Sequence, residues 1–496
     1  MTGGNGLDTI VFGASKLGIG TIGYLKDRYN ILYCIDNDEN KWGTEISGIK
    51  IMKPGILKNY KGEIIIASVY YWEISKQLYS LGIPNEKIYI SKRKKYDNDI
   101  YKYEILPLDS SLLGTIGGDL AGFDLYHEEE IVSGNKKVLI FCSYYSSYIK
   151  QLVENMCSIC NDIEVSIITS DISTKDNISA KGLKHIYLYN TYMDLKTILE
   201  KLPVYDVMQL LWIEEPWAYF YNQIRKKCRR LNLNVGGSDF YRAKKSEREA
   251  KRRLIECADN VTAENQETVN AFLGYYGNGL ASKMQILPFG VEVLDYIKRV
   301  TLDKWQIRQK FGINNNKIII TCGHNASTEH QHKKIIGELK KMSLNIQRQV
   351  ICIFPMTYPS SNKDYISSVE KELVSLTAES LVLKDFMDFE KMAEYALVSD
   401  IMVHVQTTDQ LSSTMLEEMY AGSVVVAGSW LPYASLHNKG IFFLDTDSID
   451  GLSGILEEVI VNIDEYKLKC KDNASLVYEN SSWESVSGKW YNMWNI

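Results

Sequence analysis

The feature of this sequence that most constrains its fold is an alternation of short aliphatic runs with amphipathic segments of helical length. The runs include DTIVFGAS, KKVLIFCSYY and NKIIITCGHN, and the alternation continues along most of the chain. Strands separated by helical segments pair in parallel, because each helix carries the chain back to the edge at which the previous strand began. The sequence therefore predicts an α/β fold containing three blocks of parallel sheet.

The alternation is interrupted by a stretch rich in Gly and Ser that ends in the acidic run HEEE, which predicts a linker. A chain of 496 residues also exceeds what one hydrophobic core accommodates. The tail SWESVSGKWYNMWNI, rich in Trp, predicts a terminal helix. The predicted organisation is an N-terminal domain, a linker, two further α/β blocks and the helix, over residues 1–104, 105–135, 136–300, 301–475 and 476–496.

Composition excludes several classes of protein. The formal net charge of -6 argues against binding nucleic acid through global charge. The sequence contains no long apolar run of transmembrane type, and its N-terminus lacks the pattern of a signal peptide. Nine scattered cysteines fit a reducing compartment, so we predict a cytoplasmic protein. The pair Cys157 and Cys160 predicts core thiols, with a redox or zinc role as the alternative.

Two carboxylates flank a helix start in the segment QTTDQLSSTMLEEMYAGSVVVAGSWLP. Asp409 and Glu417 stand eight positions apart, on either side of a Ser-Ser-Thr sequence and ahead of a Val-rich strand. Carboxylates bind sugar hydroxyls, and the amides at a helix N-terminus bind phosphates. The alternative is that both acids only stabilise the helix through its dipole.

This segment resembles the E-x7-E motif of retaining GT-B glycosyltransferases, with Asp in place of the first Glu. The resemblance covers roughly residues 136–496 and implies two facing Rossmann-like lobes, with a C-terminal helix that returns to the first lobe. It implies that Glu417 holds the ribose hydroxyls of a nucleotide sugar and that Asp409, a catalytic candidate, lies near the sugar. It also implies that the diphosphate lies against the loop and helix start formed by Gln410, Ser412 and Ser413.

A second donor-side motif is ITCGHNASTEHQHKK, in which a strand ends at a glycine and a polar loop opens a helix. In the family, this loop faces the donor phosphates, and basic residues beyond it neutralise them. The usual Arg/Lys pair is not spaced here as in typical members. The resemblance implies donor-binding roles for Gly323, His324, Asn325, His332 and Lys333, with His330 as a further candidate.

On the acceptor side, NVGGSDFYR resembles the GSD turn at the cleft edge of the first lobe. It implies that Gly237 and Ser238 face the acceptor. If the enzyme inverts configuration it needs a protein base, and Asp239 is the candidate. If it retains configuration, the leaving diphosphate itself deprotonates the acceptor.

The resemblance as a whole implies transfer of a sugar from a nucleotide-diphosphate sugar to a hydroxyl of a glycan, lipid-linked or protein acceptor. Bacterial surface polysaccharide or glycoprotein synthesis is the implied pathway, and no cofactor or metal is expected. Two rivals remain, a non-catalytic nucleotide-sugar-binding scaffold protein and a GT-B-like sugar-nucleotide epimerase.

The N-terminal block contains VFGASKLG after its first strand and Asp36 at the end of its second strand. It resembles the small Rossmann-like domain of PglD-type sugar acetyltransferases, which implies that it binds a nucleotide or nucleotide sugar. The alternative is a degenerate scaffold or an oligomer contact. The basic run SKRKKY at residues 91–96 predicts a loop.

A basic region extends from Arg225 to Arg253, where twelve Lys or Arg residues accompany only three acids. Such a concentration attracts an anionic membrane surface, and it predicts peripheral association at the inner face of the membrane. The alternative is a solvated helix face. A nucleic-acid site is not expected, because aromatic residues do not interleave with the basic ones.

Overall fold

The computed structural model describes residues 8–58, 60–68, 71–97, 100–107, 124–127, 135–160, 162–172, 180, 182–189, 192–313, 316–358 and 362–494. Within these residues the chain forms two compact units, Met1–Asp124 with Leu188–Leu202, and Leu125–Tyr187 with Pro203–Ile496. Most of the predicted linker, at residues 108–123 and 128–134, lies outside the described residues.

The first unit contains a seven-stranded sheet of order β3-β4-β2-β1-β5-β6-β7. Four neighbouring pairs are parallel, and the pairs β3–β4 and β6–β7 are antiparallel. Its elements are β1 (Asp8–Phe12), α1 (Lys16–Leu25), β2 (Asn30–Ile35), β3 (Glu45–Ile46), β4 (Ile49–Met52), β5 (Glu63–Ile66), α2 (Tyr71–Ser80), β6 (Ile88–Asp97) and β7 (Ile100–Pro107).

The predicted loop at residues 91–96 is wrong, because these residues belong to β6. Their backbone pairs with β7 from Tyr89 opposite Pro107 to Asp97 opposite Ile100. Ladder hydrogen bonds satisfy the backbone whatever the side chains are, so a run of charged residues does not prevent strand formation.

The turn after β1 is held by close backbone packing and by one carboxylate. Gly13 has φ 122°, and a Cβ there would lie 2.5 Å from the carbonyl oxygen of Ala67. Asp36 Oδ2 accepts a 2.7 Å hydrogen bond from the backbone N–H of Ala14 and a 3.2 Å bond from Lys41 Nζ. Asp36, which the sequence suggested as a nucleotide contact, therefore holds the glycine turn in place through these hydrogen bonds.

The second unit contains two sheets. The first has eight strands in the order β17-β16-β15-β14-β9-β11-β13-β8, and its neighbouring strands from β17 to β11 are parallel. Its strands are β8 (Asp124–His127), β9 (Lys136–Phe141), β11 (Ile163–Thr169), β13 (Leu183–Leu188), β14 (Tyr205–Leu211), β15 (Cys228–Asn234), β16 (Asn260–Ala263) and β17 (Met284–Ile286), while β10 (Tyr144–Tyr145) and β12 (Asp171–Ile172) pair separately.

Helices connect most of these strands, as parallel pairing requires. In the second unit they are α3 (Ser147–Ile159), α5 (Glu215–Ala218), α6 (Tyr221–Lys226), α7 (Ser238–Tyr241), α8 (Lys245–Cys257), α9 (Gln266–Tyr276) and α10 (Val293–Arg299), whereas α4 (Tyr192–Lys201) belongs to the first unit. We call the part of the second unit that carries this sheet the first lobe.

The second sheet is wholly parallel and has the order β20-β19-β18-β21-β22-β23. We call the part of the unit that carries it the donor lobe. Its elements are α11 (Lys304–Lys310), β18 (Ile318–Cys322), α12 (His332–Lys341), α13 (Leu344–Gln347), β19 (Val350–Pro355), α14 (Lys363–Leu373), β20 (Glu379–Leu383), α15 (Phe389–Val398), β21 (Ile401–His404), α16 (Ser413–Tyr420), β22 (Val424–Gly428), α17 (Ala434–Asn438) and β23 (Leu444–Thr446).

Four helices complete the chain: α18 (Leu452–Val461), α19 (Ile463–Lys469), α20 (Asn473–Ser481) and α21 (Trp483–Trp494). The indoles of Trp490 and Trp494 are fully buried in the first lobe's core, and Trp490 Nε1 donates to the carbonyl of Pro288 at 2.9 Å. Trp494 Nε1 donates to Gln209 Oε1 at 3.2 Å. The predicted C-terminal helix returning to the first lobe is confirmed, as are the α/β class and the three parallel-sheet blocks.

The state of the cysteines and the hydropathy of the helices can be compared with what the composition predicted. All nine cysteines are free thiols, and Cys157 and Cys160 are buried in the first lobe's core. None of the helices in the described part of the chain combines the length and hydropathy needed to span a membrane.

Candidate functional site

The site forms where the carboxyl ends of strands from the two lobes face each other. The loop after β21 reaches the first lobe, where Gln410 Nε2 donates to the carbonyl of Val235 at 2.9 Å. Asn265 Nδ2 donates back to the carbonyl of Gln410 at 2.5 Å, and Arg242 Nε donates to Thr408 Oγ1 at 2.9 Å. Ligands of parallel α/β sheets bind at such strand ends. The side chain of Gln410, a residue of the loop predicted to lie against the diphosphate, is 2% exposed and joins the two lobes.

The N-terminus of α16 is organised by two serines that the sequence singled out. Ser412 is the N-cap, and its Oγ accepts the backbone N–H of Met415 at 3.2 Å. Ser413 Oγ lies 2.8 Å from the hydroxyl of Tyr148, which belongs to α3 of the first lobe. The first turn of α16 therefore lies in the cleft, with its amide dipoles directed there.

Glu417 is a buried acid without a hydrogen-bond partner in the described part of the chain. Its side chain is 3% exposed, and burial followed by the neighbouring carboxyl of Glu418 raises its pKa to about 8. Desolvation raises the pKa of the Tyr148 and Tyr358 hydroxyls, and the nearby carboxyl of Glu417 raises it further. An acid held without a partner beside two tyrosines is suited to accept hydrogen bonds from a ligand.

The adjacent Glu418 occupies a different environment. Its Oε2 accepts a 2.6 Å hydrogen bond from Ser423 Oγ, and the side chain is fully buried. Burial raises its pKa to about 8 as well. The two consecutive acids therefore have similar protonation, but only Glu418 is engaged by its own lobe.

Asp409 is fixed by groups of the donor lobe. Its Oδ2 accepts a hydrogen bond from the Tyr433 hydroxyl and lies 3.4 Å from His404 Nε2. Burial acts to raise the pKa of Asp409, but the imidazole of His404, the Tyr433 hydroxyl and the imidazole of His324 together lower it below its ordinary value. Asp409 therefore supplies a negative charge to the cleft.

Four histidines meet beside Asp409, in what we call the histidine cluster: His324, His330, His332 and His404. The ring of His324 lies 4.2 Å from that of His330 and 5.8 Å from that of His404, and the rings of His330 and His332 are 5.5 Å apart. No group of three or more His, Cys, Asp or Glu side chains within the described residues has metal-holding geometry.

The other residues of the second motif differ in exposure. Gly323 has φ 68°, and a Cβ there would stand 2.8 Å from His332 Nε2, so this turn requires glycine. Asn325 Oδ1 accepts the backbone N–H of Ser327 at 2.7 Å. Lys333 lies exposed in the first turn of α12, whereas the preceding His332 is fully buried.

Asp239 fastens two loops of the first lobe. Its carboxylate oxygens accept the backbone N–H of Ile213 at 2.7 Å and of Gly236 at 2.9 Å. Burial raises its pKa to about 6, although Lys251 and these amides oppose the rise. Both oxygens are therefore occupied by the backbone, while the neighbouring Ser238 is exposed at the start of α7.

Three further residues of the cleft escaped the sequence analysis. Tyr148 and Tyr358 reach it from different lobes, and Glu264 accepts a 3.4 Å hydrogen bond from Gln410 Nε2. Burial, followed by the charge of Asp409, raises the pKa of Glu264 to about 8. The signal for Glu264 was its position directly after β16, whereas nothing in the local sequence marked either tyrosine.

The basic region divides between surface and internal contacts. Six of its members contact other groups of the same unit, namely Arg225 with Asp259, Arg229 with Asp206, Arg242 with Thr408, Arg248 with the ring of Tyr275, Lys251 with the carbonyl of Asp239, and Arg252 with Glu249. Six members are exposed, namely Arg229 and Arg242 of this group together with Lys226, Lys244, Lys245 and Arg253.

Solved structures with a similar fold match about three quarters of the chain. Sucrose-phosphate synthase from Thermosynechococcus elongatus is 12% identical with a TM-score of 0.57, over 73% of this chain and 98% of its own. Anabaena HepE in complex with UDP and glucose is 14% identical with a TM-score of 0.59, over 72% and 99%. A glycosyltransferase from Rickettsia africae is 14% identical with a TM-score of 0.59, over 73% and 98%.

The second unit has the GT-B fold. At these identities the likeness establishes the architecture of the two lobes and not the reaction. The N-terminal region matches the family described as C2185-like, N-terminal, over residues 7–89. A comparison of the sequence with curated proteins finds no match.

The contact between the GT-B lobes gives a first prediction. Gly237 has φ 89°, and a Cβ there would lie 2.8 Å from Gln410 Cβ. We expect Gly237→Ala to cost about 1–3 kcal/mol of stability, because alanine is strained at this φ and pushes the lobes apart. Gly274→Ala is the control, since that helical glycine has nothing within 4 Å of its Cβ position. Urea unfolding checks both, and equal midpoints would contradict the prediction.

Proposed function

We propose that the second unit is a glycosyltransferase that moves a sugar from a nucleoside-diphosphate sugar to an acceptor hydroxyl. The observation that carries this proposal is Glu417, a buried carboxyl without a partner in the described residues, beside a helix N-terminus in the cleft of a GT-B fold. A nucleotide sugar has hydroxyls that suit the carboxyl and phosphates that suit the helix N-terminus.

In the proposed complex, Glu417 accepts hydrogen bonds from the ribose hydroxyls, and the first turn of α16 at Ser412 and Ser413 binds the diphosphate. Gly323, His324, Asn325, His332 and Lys333 form the opposite side of the phosphate site. Asp409, held by Tyr433 and His404, lies near the sugar. Anabaena HepE is solved in complexes with UDP and with UDP-glucose, which supports a nucleotide sugar as the donor.

In the proposed reaction, the bond between the sugar's anomeric carbon and the diphosphate oxygen breaks, and a new bond forms to the acceptor oxygen. The acceptor proton goes to the leaving diphosphate. We favour this route, which retains configuration, because both oxygens of Asp239 already accept backbone N–H bonds. A carboxylate so occupied is a poor base for an acceptor hydroxyl. Neither a metal nor an organic cofactor has a part in the proposed step.

The acceptor is proposed to be a glycan, a lipid-linked sugar or a protein, in bacterial surface polysaccharide or glycoprotein synthesis. It would enter beside Gly237 and Ser238. The exposed residues Lys226, Lys244, Lys245 and Arg253 would dock an anionic membrane surface, making the protein cytoplasmic and peripheral. The N-terminal unit is proposed as a nucleotide-sugar-binding domain of PglD type or as an oligomer contact.

A thermal-shift panel tests the donor proposal and identifies the base. Wild type, Glu417→Ala and Glu418→Gln are compared with UDP, GDP, TDP, CMP and their sugars. A ligand at a hundredfold excess over its dissociation constant stabilises by about 2.7 kcal/mol. We expect a shift selective for one base, lost in Glu417→Ala and kept in Glu418→Gln, which mimics the protonated neighbouring acid. A panel without any shift would overturn the proposal.

A further inference from the structure

The histidine cluster gathers four of the chain's seven histidines at one sheet edge. His324 follows the last residue of β18 by two positions, and His404 ends β21. His332 begins α12, and His330 lies in the loop before it. The cluster therefore lies at the strand ends where the donor phosphates are proposed to bind.

Five ring nitrogens of this cluster are buried and have no hydrogen-bond partner among the residues that the structure describes. They are Nδ1 of His324, Nδ1 and Nε2 of His330, Nε2 of His332 and Nδ1 of His404. The side chains of His330, His332 and His404 are at most 1% exposed. Buried polar atoms are ordinarily satisfied, so five such atoms in one cluster indicate a ligand that hydrogen-bonds to them.

Burial leaves three of the four imidazoles, those of His324, His330 and His332, without a proton near neutral pH in the free protein. Burial followed by neighbouring groups lowers the pKa of His324 to about 3, burial lowers that of His332 to about 4, and that of His330 also lies well below its ordinary value. The charged and titratable groups that face the cluster from its packed elements are Asp409, Arg242, Tyr365 and Tyr433, while Glu329, next to His330 in the chain, accepts a hydrogen bond from Thr407.

Fixed positive charge is scarce beside this proposed phosphate site. Arg242 acts on the cluster from the first lobe but is bound to Thr408, and Lys333 is exposed on α12. A diphosphate diester carries two negative charges. Imidazoles that are kept neutral by burial can supply the missing positive charge when such an anion arrives, because an adjacent anion favours their protonated form.

We propose that donor binding is coupled to uptake of a proton from solvent by the histidine cluster, with His324 as its principal acceptor. This inference rests on the proposed function, since it requires a diphosphate at this edge. His324 is the member that is partly exposed and also contacts both His330 and His404. Binding should also stabilise the cluster, because phosphate oxygens accept hydrogen bonds from imidazole N–H groups that have no partner among the described residues.

Linkage fixes the sign of the pH dependence. In the free protein the imidazoles of His324, His330 and His332 are already unprotonated near neutral pH, so a complex that holds one more proton on them forms less readily as pH rises. Donor affinity should fall by up to about tenfold per pH unit until pH reaches the pKa of the imidazole in the complex, and it should be flat above that. A nucleotide sugar is the suitable probe, because its esterified phosphates lack the second ionisation near pH 6 of a phosphate monoester.

Calorimetric titration in two buffers of different ionisation enthalpy measures the proton count directly. The probe is the nucleotide sugar that stabilises the protein most in the thermal-shift panel, UDP-glucose or its GDP or TDP counterpart. Wild type should take up about one proton near pH 7, in line with the linkage relation. A proton count of zero together with pH-independent affinity would overturn the inference while leaving the donor proposal intact.

Variants locate the acceptor of the proton. His324→Gln, alone and together with His330→Gln, should abolish the uptake and flatten the pH profile while the melting temperature confirms folding. His185→Gln is the control, because that histidine lies in β13 and stacks on Tyr187, outside the cluster. Uptake that persisted in both cluster variants would refute the assignment. Absence of binding by every nucleotide sugar would instead refute the proposed function itself.

Discussion

Asp400→Ala is expected to lower the free energy of unfolding of the donor lobe by about 3–5 kcal/mol, since removal of one partner leaves buried charge uncompensated. The Asp400 side chain is 8% exposed and binds Arg308 Nη2 at 3.0 Å, an equally buried guanidinium. It also accepts from Lys304 Nζ at 2.7 Å, from Lys467 Nζ, and from the backbone N–H of Ile319 at 3.0 Å. One carboxylate thus joins α11, β18, β21 and α19.

The contribution of Asp400 should depend on pH with a defined sign. Burial acts to raise its pKa, but Lys304 and Lys467 more than offset this, so the folded pKa lies below the ordinary value. Its stabilisation is therefore complete above the unfolded pKa of about 3.9 and is lost as pH falls through the folded pKa. The difference in free energy of unfolding between wild type and Asp400→Ala should therefore become smaller only in strong acid.

Urea unfolding of the two proteins near neutral pH and in acid measures both effects. Asp388→Ala is the matched control, because Asp388 caps α15 through a 2.9 Å bond to the backbone N–H of Lys391 on the protein surface. Loss of such a cap costs about 1 kcal/mol. A loss for Asp400→Ala no larger than that of the control would refute the assigned role of this network.

Glu417→Ala is expected to weaken donor binding by about a hundredfold. The carboxyl, whose raised pKa of about 8 keeps it mainly neutral near pH 7, is proposed to bind two ribose hydroxyls, and a hydrogen bond between neutral groups contributes about 0.5–1.5 kcal/mol. A loss of about 2.7 kcal/mol corresponds to a factor of about 100 in the dissociation constant. Stability should change little, because no described residue hydrogen-bonds this side chain.

Isothermal titration of the donor compares Glu417→Ala with Glu418→Gln. The two acids are adjacent, both are buried and both have a pKa raised to about 8. They therefore differ mainly in the groups that their side chains contact. Glu418 is bonded to Ser423 inside the lobe and should leave donor affinity unchanged when replaced by its neutral analogue. Equal effects of the two substitutions would show that the donor does not contact Glu417.

The three sheets were predictable because strands buried on both faces appear as continuous aliphatic runs, such as IIIT in β18 and VVVA in β22. The helix start at Ser412 was predictable for a similar reason, since capping residues are local in sequence. The strand β6 was not, because its pairing with β7 depends on a partner and not on its own charged residues.

The contacts between the side chains of the site were much harder to predict from the sequence. The sequence placed Gln410 and Asp239 near a cleft, but which atoms they bind depends on backbone amides and carbonyls of distant loops. Likewise, His404 lies near His324 because β21 and β18 are neighbours in the sheet, although β19 and β20 separate them in the chain. Tyr148 joins Ser413 from 265 residues away.

The basic region illustrates the same limit. A count of charges treats all twelve cations alike, whereas the fold assigns Lys251 to the carbonyl of Asp239 and Arg242 to the donor lobe. Charge composition therefore predicts a surface field, but the residues available to a membrane are fixed only by tertiary contacts.

The measurement that tests the central claim most directly is the fate of the donor's glycosyl–phosphate bond. Phosphorus NMR of the best-binding nucleotide sugar, incubated with wild type and with Glu417→Ala, follows release of the nucleoside diphosphate with and without a glycan acceptor. If the protein is a glycosyltransferase, wild type should release the nucleoside diphosphate, and the release should be faster when the acceptor is present. The rate of release with Glu417→Ala should be at least tenfold lower. Donor that stays intact would identify a binding scaffold, donor that only changes configuration would identify an epimerase, and either result would contradict the account.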